Sequence, residues 1–162
     1  MSHDQPAETV ARALASFVPR LARNIAVALQ EEPSLQLSLR QLRILERLAE
    51  RPHRTSELAV HSMVSQPTAT AAVAPLEVRG LVRRLPDPED RRAYLVELTA
   101  DGSTLLRDAH ERIQQRLLTI VGEVSPGEAA DVERLGTSLI DGMERARADR
   151  ATRTRAAAAL LG

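Results

Sequence analysis

Residues 81–99 constrain the fold of this sequence more than any other segment, because two apolar stretches flank a charged loop there. Residues 82–85 and 94–98 are rich in branched and aromatic side chains, which favour strands. Pro86 and Pro88 exclude a helix between the two stretches. The segment therefore predicts a short β-hairpin with a charged loop.

The loop of this predicted hairpin ends in Asp90-Arg91-Arg92. An arginine on a narrow hairpin can enter the minor groove of DNA, where negative potential is concentrated. Alternatively, Asp90 pairs with Arg91 or Arg92 on an ordinary surface hairpin, although an exposed ion pair contributes at most about 1 kcal/mol. The segments that precede the hairpin bear on this choice.

Three helices with recognisable start signals are predicted before the hairpin. They cover residues 38–50 (capping box of Ser38 and Gln41), 56–61 (N-cap Thr55) and 66–78 (N-cap Ser65), and Gly80 follows the last one in the C-cap role. A tight turn at residues 62–64 separates the second helix from the third. This order, followed by a hairpin, predicts a winged helix-turn-helix, in which the last of these helices enters the major groove.

Long amphipathic helices are predicted at both ends of the chain. Their apolar positions recur at spacings of three and four: Val10, Leu14, Phe17, Leu21, Ile25 and Ala28; Leu106, Ala109, Ile113, Leu117, Ile120 and Val124; Val132, Leu135, Leu139 and Met143. Thr99 opens the second helix, and the capping box Ser125-Pro126-Gly127-Glu128 opens the third. The apolar faces of these three helices must be buried, either against a second copy of the chain or against one another. A twofold homodimer is favoured.

The predicted fold is therefore mainly α with a small β-hairpin wing. A winged helix-turn-helix lobe is expected at residues 34–99, and a helical dimerisation lobe at residues 6–31 and 100–148. The tail at residues 149–162 is rich in alanine and arginine and is either helical or frayed.

The amino-acid composition limits the classes of function that this chain can have. The formal net charge is zero, but residues 40–92 carry ten arginines against seven carboxylates, a modest basic bias. The absence of cysteine excludes disulfides and thiolate metal sites. Two aromatic residues are too few for the base stacking by which proteins recognise RNA or single-stranded nucleic acid. We expect a cytoplasmic protein, because no apolar run could cross a membrane and no signal peptide is evident.

No enzyme or cofactor pattern is present in the sequence. Its four histidines, His3, His53, His61 and His110, lack metal-ligand spacing and are expected on the solvated surface. Neither a catalytic constellation nor a glycine-rich phosphate loop stands out. We therefore expect no catalytic residues, no bound metal and no cofactor.

Several segments together resemble the MarR family of bacterial transcriptional regulators. They are Thr55-Ser56-Glu57-Leu58-Ala59, Val64-Ser65-Gln66-Pro67-Thr68, Leu76-Glu77-Val78-Arg79-Gly80-Leu81-Val82, Asp87-Pro88-Glu89-Asp90-Arg91-Arg92 and Leu98-Thr99-Ala100-Asp101-Gly102. The resemblance covers nearly the whole chain. It implies a dimeric repressor, less often an activator, on a pseudo-palindromic DNA operator. It also implies a small aromatic or phenolic effector bound between the dimerisation and DNA-binding lobes.

The resemblance also assigns residues. Gln66, Thr68 and Thr70 would face base edges or phosphates, since glutamine can pair with adenine and threonine offers a methyl group to thymine. Ser65 would cap the helix and contact a phosphate. On the wing, Arg92 would enter the minor groove with Asp90 orienting it. The residues that would contact the DNA backbone are Arg83, Arg84 and Arg91.

The chain departs from the family pattern at three positions. Ala71 and Pro75 occupy positions that are often basic, and Met63 stands in a turn position that is often glycine. Pro75 is expected to kink the helix near residues 71–74. These departures predict a shallow salt dependence of DNA binding, and they leave open a dimeric protein-interaction module with a degenerate winged helix that does not bind DNA.

The effector site cannot be assigned from the sequence. Phe17, Arg20, Leu21 and His53 could line it, but Phe17 and Leu21 are equally suited to the core.

Overall fold

A computed structural model describes residues 5–90 and 92–159 of the chain. In order, its elements are α1 (Gln5–Glu31), α2 (Leu39–Glu50), β1 (His53–Arg54), α3 (Thr55–His61), α4 (Gln66–Val78), β2 (Val82–Pro86), β3 (Tyr94–Leu98), α5 (Ala100–Val121) and α6 (Pro126–Ala159). The predicted fold class, mainly α with a small hairpin wing in a winged helix-turn-helix, is confirmed. No helix in the described ranges is both long and apolar enough to span a membrane.

The chain divides into two compact units, one ending at Ile120 and the other beginning at Val121. The first unit is built on a cluster of buried apolar residues from α2, α3, α4 and the sheet. Leu45, Leu58, Val73 and Leu76 are completely excluded from solvent. The predicted inward positions of the helix-turn-helix, including Leu58 and Ala59, are confirmed as buried.

The starts of α2 and α3 differ in how they are capped. The predicted capping box of α2 is confirmed, because Ser38 Oγ accepts from the Gln41 amide (3.2 Å) and Gln41 Oε1 accepts from the Ser38 amide (2.9 Å). The predicted N-cap Thr55 is wrong, since α3 begins at Thr55 and its N-cap is Arg54. Arg54 belongs to β1 and keeps an extended backbone, so the helix starts one residue early.

The sheet has three antiparallel strands in the order β1-β3-β2. The predicted hairpin is confirmed as β2 and β3, which align Arg83 with Glu97 and Pro86 with Tyr94. The two-residue strand β1 was not predicted, and it pairs with the outer side of β3, aligning His53 with Val96. The segment that leads into α3 is therefore part of the same sheet as the wing.

The Leu98-Thr99-Ala100-Asp101-Gly102 segment fastens the start of α5 to the beginning of the hairpin. Thr99 Oγ1 donates to the Gly80 carbonyl (2.8 Å) and accepts from the Gly102 amide (3.0 Å). A Cβ atom at Gly102 would lie 2.1 Å from the Leu81 carbonyl oxygen. Residue 102 must therefore be glycine for the helix and the chain before β2 to approach this closely.

The first helix after the wing ends earlier than predicted. The helix opened by Thr99 was expected to include Val124, but α5 ends at Val121, because Gly122 has a φ of +64° and turns the chain out of the helix. The capping box at Ser125 is confirmed, with Glu128 Oε2 accepting from the Ser125 amide (2.9 Å). Considered by itself, α6 is one helix as far as Ala159, so most of the tail is helical.

Candidate DNA-binding interface

The second helix of the helix-turn-helix, α4, begins at a well-formed cap. Ser65 has an extended backbone, and its Oγ accepts from the Thr68 amide (3.4 Å), as predicted for an N-cap. The hydroxyl groups of Ser65 and Thr68 are also hydrogen-bonded to each other at 2.7 Å. Both hydroxyls are therefore engaged within the chain.

The next two candidate residues differ in the polar groups that they present. Thr70 is exposed, but its hydroxyl donates to the Gln66 carbonyl (3.0 Å) one turn earlier. Gln66 is also exposed, and it lies in the first turn of α4. Of the four residues predicted for this helix, Gln66 presents a side-chain amide, whereas the Thr70 hydroxyl is engaged by the backbone.

Apart from Gln66 and Thr70, the outward face of α4 is apolar and built largely of small residues. Buried Ala69, Val73 and Leu76 fix the inward face. The exposed residues include Pro67, Ala71, Ala74, Pro75 and Val78. The helix is assigned without a break across Pro75, and the kink expected there stays a prediction.

The turn before α4 depends on an unusual backbone conformation at Met63. Its φ is +52°, in the left-handed region that favours glycine, and its side chain is 74% exposed. A glycine would adopt this conformation without steric cost. Methionine keeps the turn but accepts a backbone conformation that is less favourable for a residue with a Cβ atom.

The wing loop places Arg92 in solvent. The backbone amide of Arg92 donates to Asp90 Oδ1 (3.0 Å), so Asp90 contacts this residue through the main chain. Among the residues that the structure describes, no carboxylate forms an ion pair with the Arg92 guanidinium. Arg91, the other arginine predicted to act here, lies outside the described residues.

The two arginines of β2 are each bound to a carboxylate. Arg83 lies 2.6 Å from Glu97 of the neighbouring strand, and Arg84 lies 3.0 Å from Glu77 near the end of α4. Both were predicted to contact the DNA backbone. They could do so only by exchanging or sharing these carboxylates, and both ion pairs are partly exposed.

An ion pair that the sequence reasoning missed anchors the base of the wing. Arg54 Nε donates to Asp87 Oδ2 at 2.5 Å, and the Asp87 side chain is only 3% exposed. The second oxygen of Asp87 accepts from the Glu89 amide (2.8 Å), which shapes the loop. The Arg54 hydrogen bond, helped by the Glu89 amide, lowers the pKa of the Asp87 carboxyl below its ordinary value.

His53 corrects the expectation that every histidine is solvated. It is only 2% exposed, because β1 pairs with β3 and turns this side chain into the core. Its ring contacts the His61 ring edge-to-face at 5.5 Å. Nδ1 lies 3.3 Å from Glu57 Oε2, but neither ring nitrogen of His53 makes a hydrogen bond to a described residue.

Glu57 ties together the residues around the start of α3. Its Oε2 accepts from the Arg54 amide (2.9 Å), and its Oε1 accepts from Arg51 (3.3 Å). Burial acts to raise the pKa of Glu57, but these hydrogen bonds outweigh it and leave that pKa below its ordinary value. The segment that carries β1 into α3 is therefore held by several polar contacts.

The suggested effector residues fall in different environments. Phe17 is 52% exposed on α1 and Arg20 is also exposed, whereas His53 is in the core. In the described ranges, no group of three or more histidine, aspartate or glutamate side chains could hold a metal ion.

A capped recognition helix, a preceding short helix and an arginine-bearing hairpin define a protein of the winged helix-turn-helix class. The sequence model of the MarR family matches residues 37–94, which span α2 to the start of β3. The chain belongs to the MarR family of transcriptional regulators. The similar proteins are named as transcriptional regulators rather than as enzymes.

Three similar proteins illustrate the extent of the match. The HTH-type transcriptional regulator Mb0904 of Mycobacterium bovis is 34% identical over 128 residues, 78% of this chain and 87% of Mb0904. The transcriptional repressor NicR of Pseudomonas putida is 35% identical over 95 residues, 59% of this chain and 60% of NicR. The crystal structure of the transcriptional regulator BldR from Sulfolobus solfataricus is 28% identical, with a TM-score of 0.72 over 90% of this chain and 99% of BldR.

Proposed function

We propose that this protein is a homodimeric, sequence-specific double-stranded DNA-binding regulator that represses transcription in the cytoplasm. In this proposal, each protomer inserts α4 into the major groove of one half of a pseudo-palindromic operator, and its wing reaches the adjacent minor groove. A small aromatic or phenolic effector releases the repressor. NicR, which has a similar sequence, is named as a repressor, and this supports the choice of repression.

The exposed Arg92 guanidinium is the observation that carries the DNA-binding part of the proposal. The other wing arginines in the described ranges, Arg83 and Arg84, are bound to carboxylates, whereas Arg92 is not. A cation on a narrow hairpin beside a capped helix is suited to the negative potential of a minor groove. The Asp90 contact to the Arg92 amide supports the loop that presents this side chain.

Exposed apolar side chains support the homodimer. Phe17 on α1 and Leu118 on α5 are 52% and 59% exposed in the single chain. Within α6, Val132 and Met143 are 69% and 65% exposed. Apolar side chains left exposed on a single chain favour burial against a partner, and twofold homodimers are the most common assembly.

Fluorescence anisotropy across a salt series tests the proposal. The purified protein is titrated onto duplex DNA from its own upstream region and onto a scrambled duplex of equal composition. We expect selective binding with one dimer per site and a shallow salt slope, since the slope grows by about 0.9 per phosphate neutralised. The proposal would be overturned if DNA fragments recovered by genome-wide selection were bound no more tightly than scrambled DNA.

The apolar outward face of α4 favours a second candidate function, a dimeric protein-interaction module that does not bind DNA. Ala71 and Pro75 leave this face without a basic residue. The same anisotropy series separates the two functions, because an interaction module would bind operator and scrambled DNA equally weakly at every salt concentration.

A further inference from the structure

We infer that α4 recognises thymine methyl groups in the major groove, with Gln66 reading one adenine, so that the operator bases facing this helix are A·T pairs. The inference rests on the proposed DNA-binding function and specifies its substrate. It follows from which chemical groups the outward face of α4 presents and which it has already engaged.

The hydroxyl groups at the start of α4 are engaged in hydrogen bonds within the chain. Ser65 and Thr68 bind each other at 2.7 Å, and Thr70 donates to the Gln66 carbonyl at 3.0 Å. Thr68 is also partly buried. Base recognition through these hydroxyls would first require breaking an intramolecular hydrogen bond. Thr70 can instead offer its methyl group without any rearrangement.

The remaining outward positions form a continuous apolar stripe. Pro67, Ala71, Ala74 and Val78 are spaced by four, three and four residues, so they lie on one side of the helix. All four are exposed, and Val78 is 89% exposed. Three of them are proline or alanine, whose short side chains let the helix backbone come close to a groove floor.

Apolar contact in the major groove selects thymine. Its 5-methyl group is the apolar feature that distinguishes it on the groove edge, and alanine and threonine methyl groups are suited to contact it. A stripe of apolar side chains therefore matches a run of thymine methyl groups. It offers nothing to the hydrogen-bonding edges of G·C pairs, which would lose water without a replacement partner.

Guanine is usually read by arginine or lysine, and α4 contains neither. Arg79, directly after the helix, donates to the carbonyl groups of Leu35 (2.8 Å) and Gln36 (3.3 Å). Arg84, on the adjoining strand, is bound to Glu77. Arg79 and Arg84, which follow α4 in the sequence, are thus engaged by protein groups rather than left to bind a guanine.

Gln66 supplies the one side-chain amide on the outward side of α4. It lies in the first turn and is exposed. A glutamine amide can donate to N7 and accept from the N6 amino group of the same adenine. An adenine beside the thymine run is therefore the expected partner of Gln66.

Uracil substitution tests the thymine readout. Operator duplexes are made in which each thymine is replaced singly, in both half-sites, by deoxyuridine, which removes only the major-groove methyl group and leaves the minor groove of the wing unchanged. Affinities are measured by anisotropy at fixed salt. We expect a loss of about fourfold for each contacted methyl group, from the transfer free energy of one such group. Thymines in the flanks serve as controls and should tolerate uracil.

A second substitution tests Gln66. Replacing an adenine by 7-deazaadenine removes the N7 acceptor but keeps base pairing. The parent protein should bind the duplex modified at the contacted adenine several-fold more weakly than the unmodified one. Gln66→Ala should bind both duplexes equally while keeping its sensitivity to uracil.

The outcomes distinguish this inference from the proposed function. Selective operator binding that is unaffected by uracil at every position, or a selected operator with G·C pairs under α4, would overturn the inference and leave the proposed function intact. Equal binding of operator and scrambled DNA would overturn both.

Discussion

Arg54 and Asp87, 33 positions apart in the sequence, join the strand that leads into α3 to the first residue of the wing loop. Arg54 is at the same time the N-cap residue of α3. The helix-turn-helix and the wing therefore share one anchoring residue. In the proposed function this relationship matters, because the wing would have to present Arg92 in a fixed position relative to α4.

We predict that Asp87→Asn weakens operator binding and destabilises the fold near neutral pH. The substitution keeps the shape of the side chain but removes the charge that Arg54 contacts. Since folding lowers the pKa of Asp87, its stabilising effect is fully present above the unfolded value of about 4 and is lost as the pH falls through the lower folded value. Urea unfolding of both proteins between pH 3 and 7 measures this.

The difference in unfolding midpoint between the parent and Asp87→Asn should be largest near pH 7 and shrink below about pH 4. Asp108→Asn, in an exposed and loosely paired site on α5, is the matched control and should change little at any pH. A midpoint difference that stays constant down to pH 3 would contradict an electrostatic role for the Arg54–Asp87 pair.

Arg92→Ala should weaken operator binding by at most a few kcal/mol per dimer, because a charge-assisted contact in each minor groove is lost. The unfolding midpoint should not change, since the side chain is exposed and forms no ion pair within the described residues. Operator titrations at several salt concentrations provide the measurement, with Arg107→Ala on α5 as a control of equal charge. Equal operator affinity for Arg92→Ala and the parent would refute the minor-groove assignment.

Gly102→Ala should be strongly destabilising, by about 1–3 kcal/mol or more, because its Cβ would overlap the Leu81 carbonyl oxygen. Gly127→Ala is the matched control, since beyond its chain neighbours and the backbone of its own helix no atom lies within 4 Å of its Cβ position. It should shift stability by less than about 1 kcal/mol. Chemical denaturation of both variants compares them, and a mild effect at position 102 would mean that α5 can move away from the hairpin.

Arg79→Ala should cost roughly 1–3 kcal/mol of stability, because the Leu35 and Gln36 carbonyl groups lose a charged donor. Operator affinity should fall further than stability alone explains, since these contacts hold the end of α4 against the loop between α1 and α2. Arg79→Lys retains the charge but replaces the two-armed guanidinium by a single amino group. If Arg79→Lys restores affinity fully, the charge rather than the bridging geometry is responsible.

Pro75→Ala should stabilise the protein, by up to about 3 kcal/mol if the helix is otherwise regular. Proline at this position supplies no amide to the Ala71 carbonyl, and alanine would. Denaturant titration gives the change in free energy of unfolding. A gain well below this limit would show that α4 is bent enough to relieve the clash, and a loss of stability would contradict the expectation.

The sequence predicted the local elements well, because caps, prolines and apolar periodicity act over a few residues. Ser38 and Ser65 start α2 and α4 as predicted, and the hairpin strands lie where their branched residues suggested. It could not predict β1, since two residues are too short to show any period. The pairs of Arg54 with Asp87 and of Arg84 with Glu77 were also missed, because they depend on how separate elements fold together.

The burial of His53 has the same explanation. Nothing in its sequence neighbourhood distinguishes it from a surface histidine, and only the pairing of β1 with β3 turns its ring into the core. Gln66, Thr68 and Thr70 were assigned to DNA recognition from the resemblance to the MarR family, and that role stays a prediction. Which of their polar groups remain available could be decided only from the hydrogen bonds of Ser65, Thr68 and Thr70.

The shortness of β1 has a mechanical consequence. A strand of two residues has no flexible length between its pairing with β3 and the first turn of α3, and Arg54 belongs to both. A displacement of α3 must therefore pull on the base of the hairpin as well. We therefore expect the helix-turn-helix and the wing to move together, so that an event that tilts α3 also shifts the hairpin.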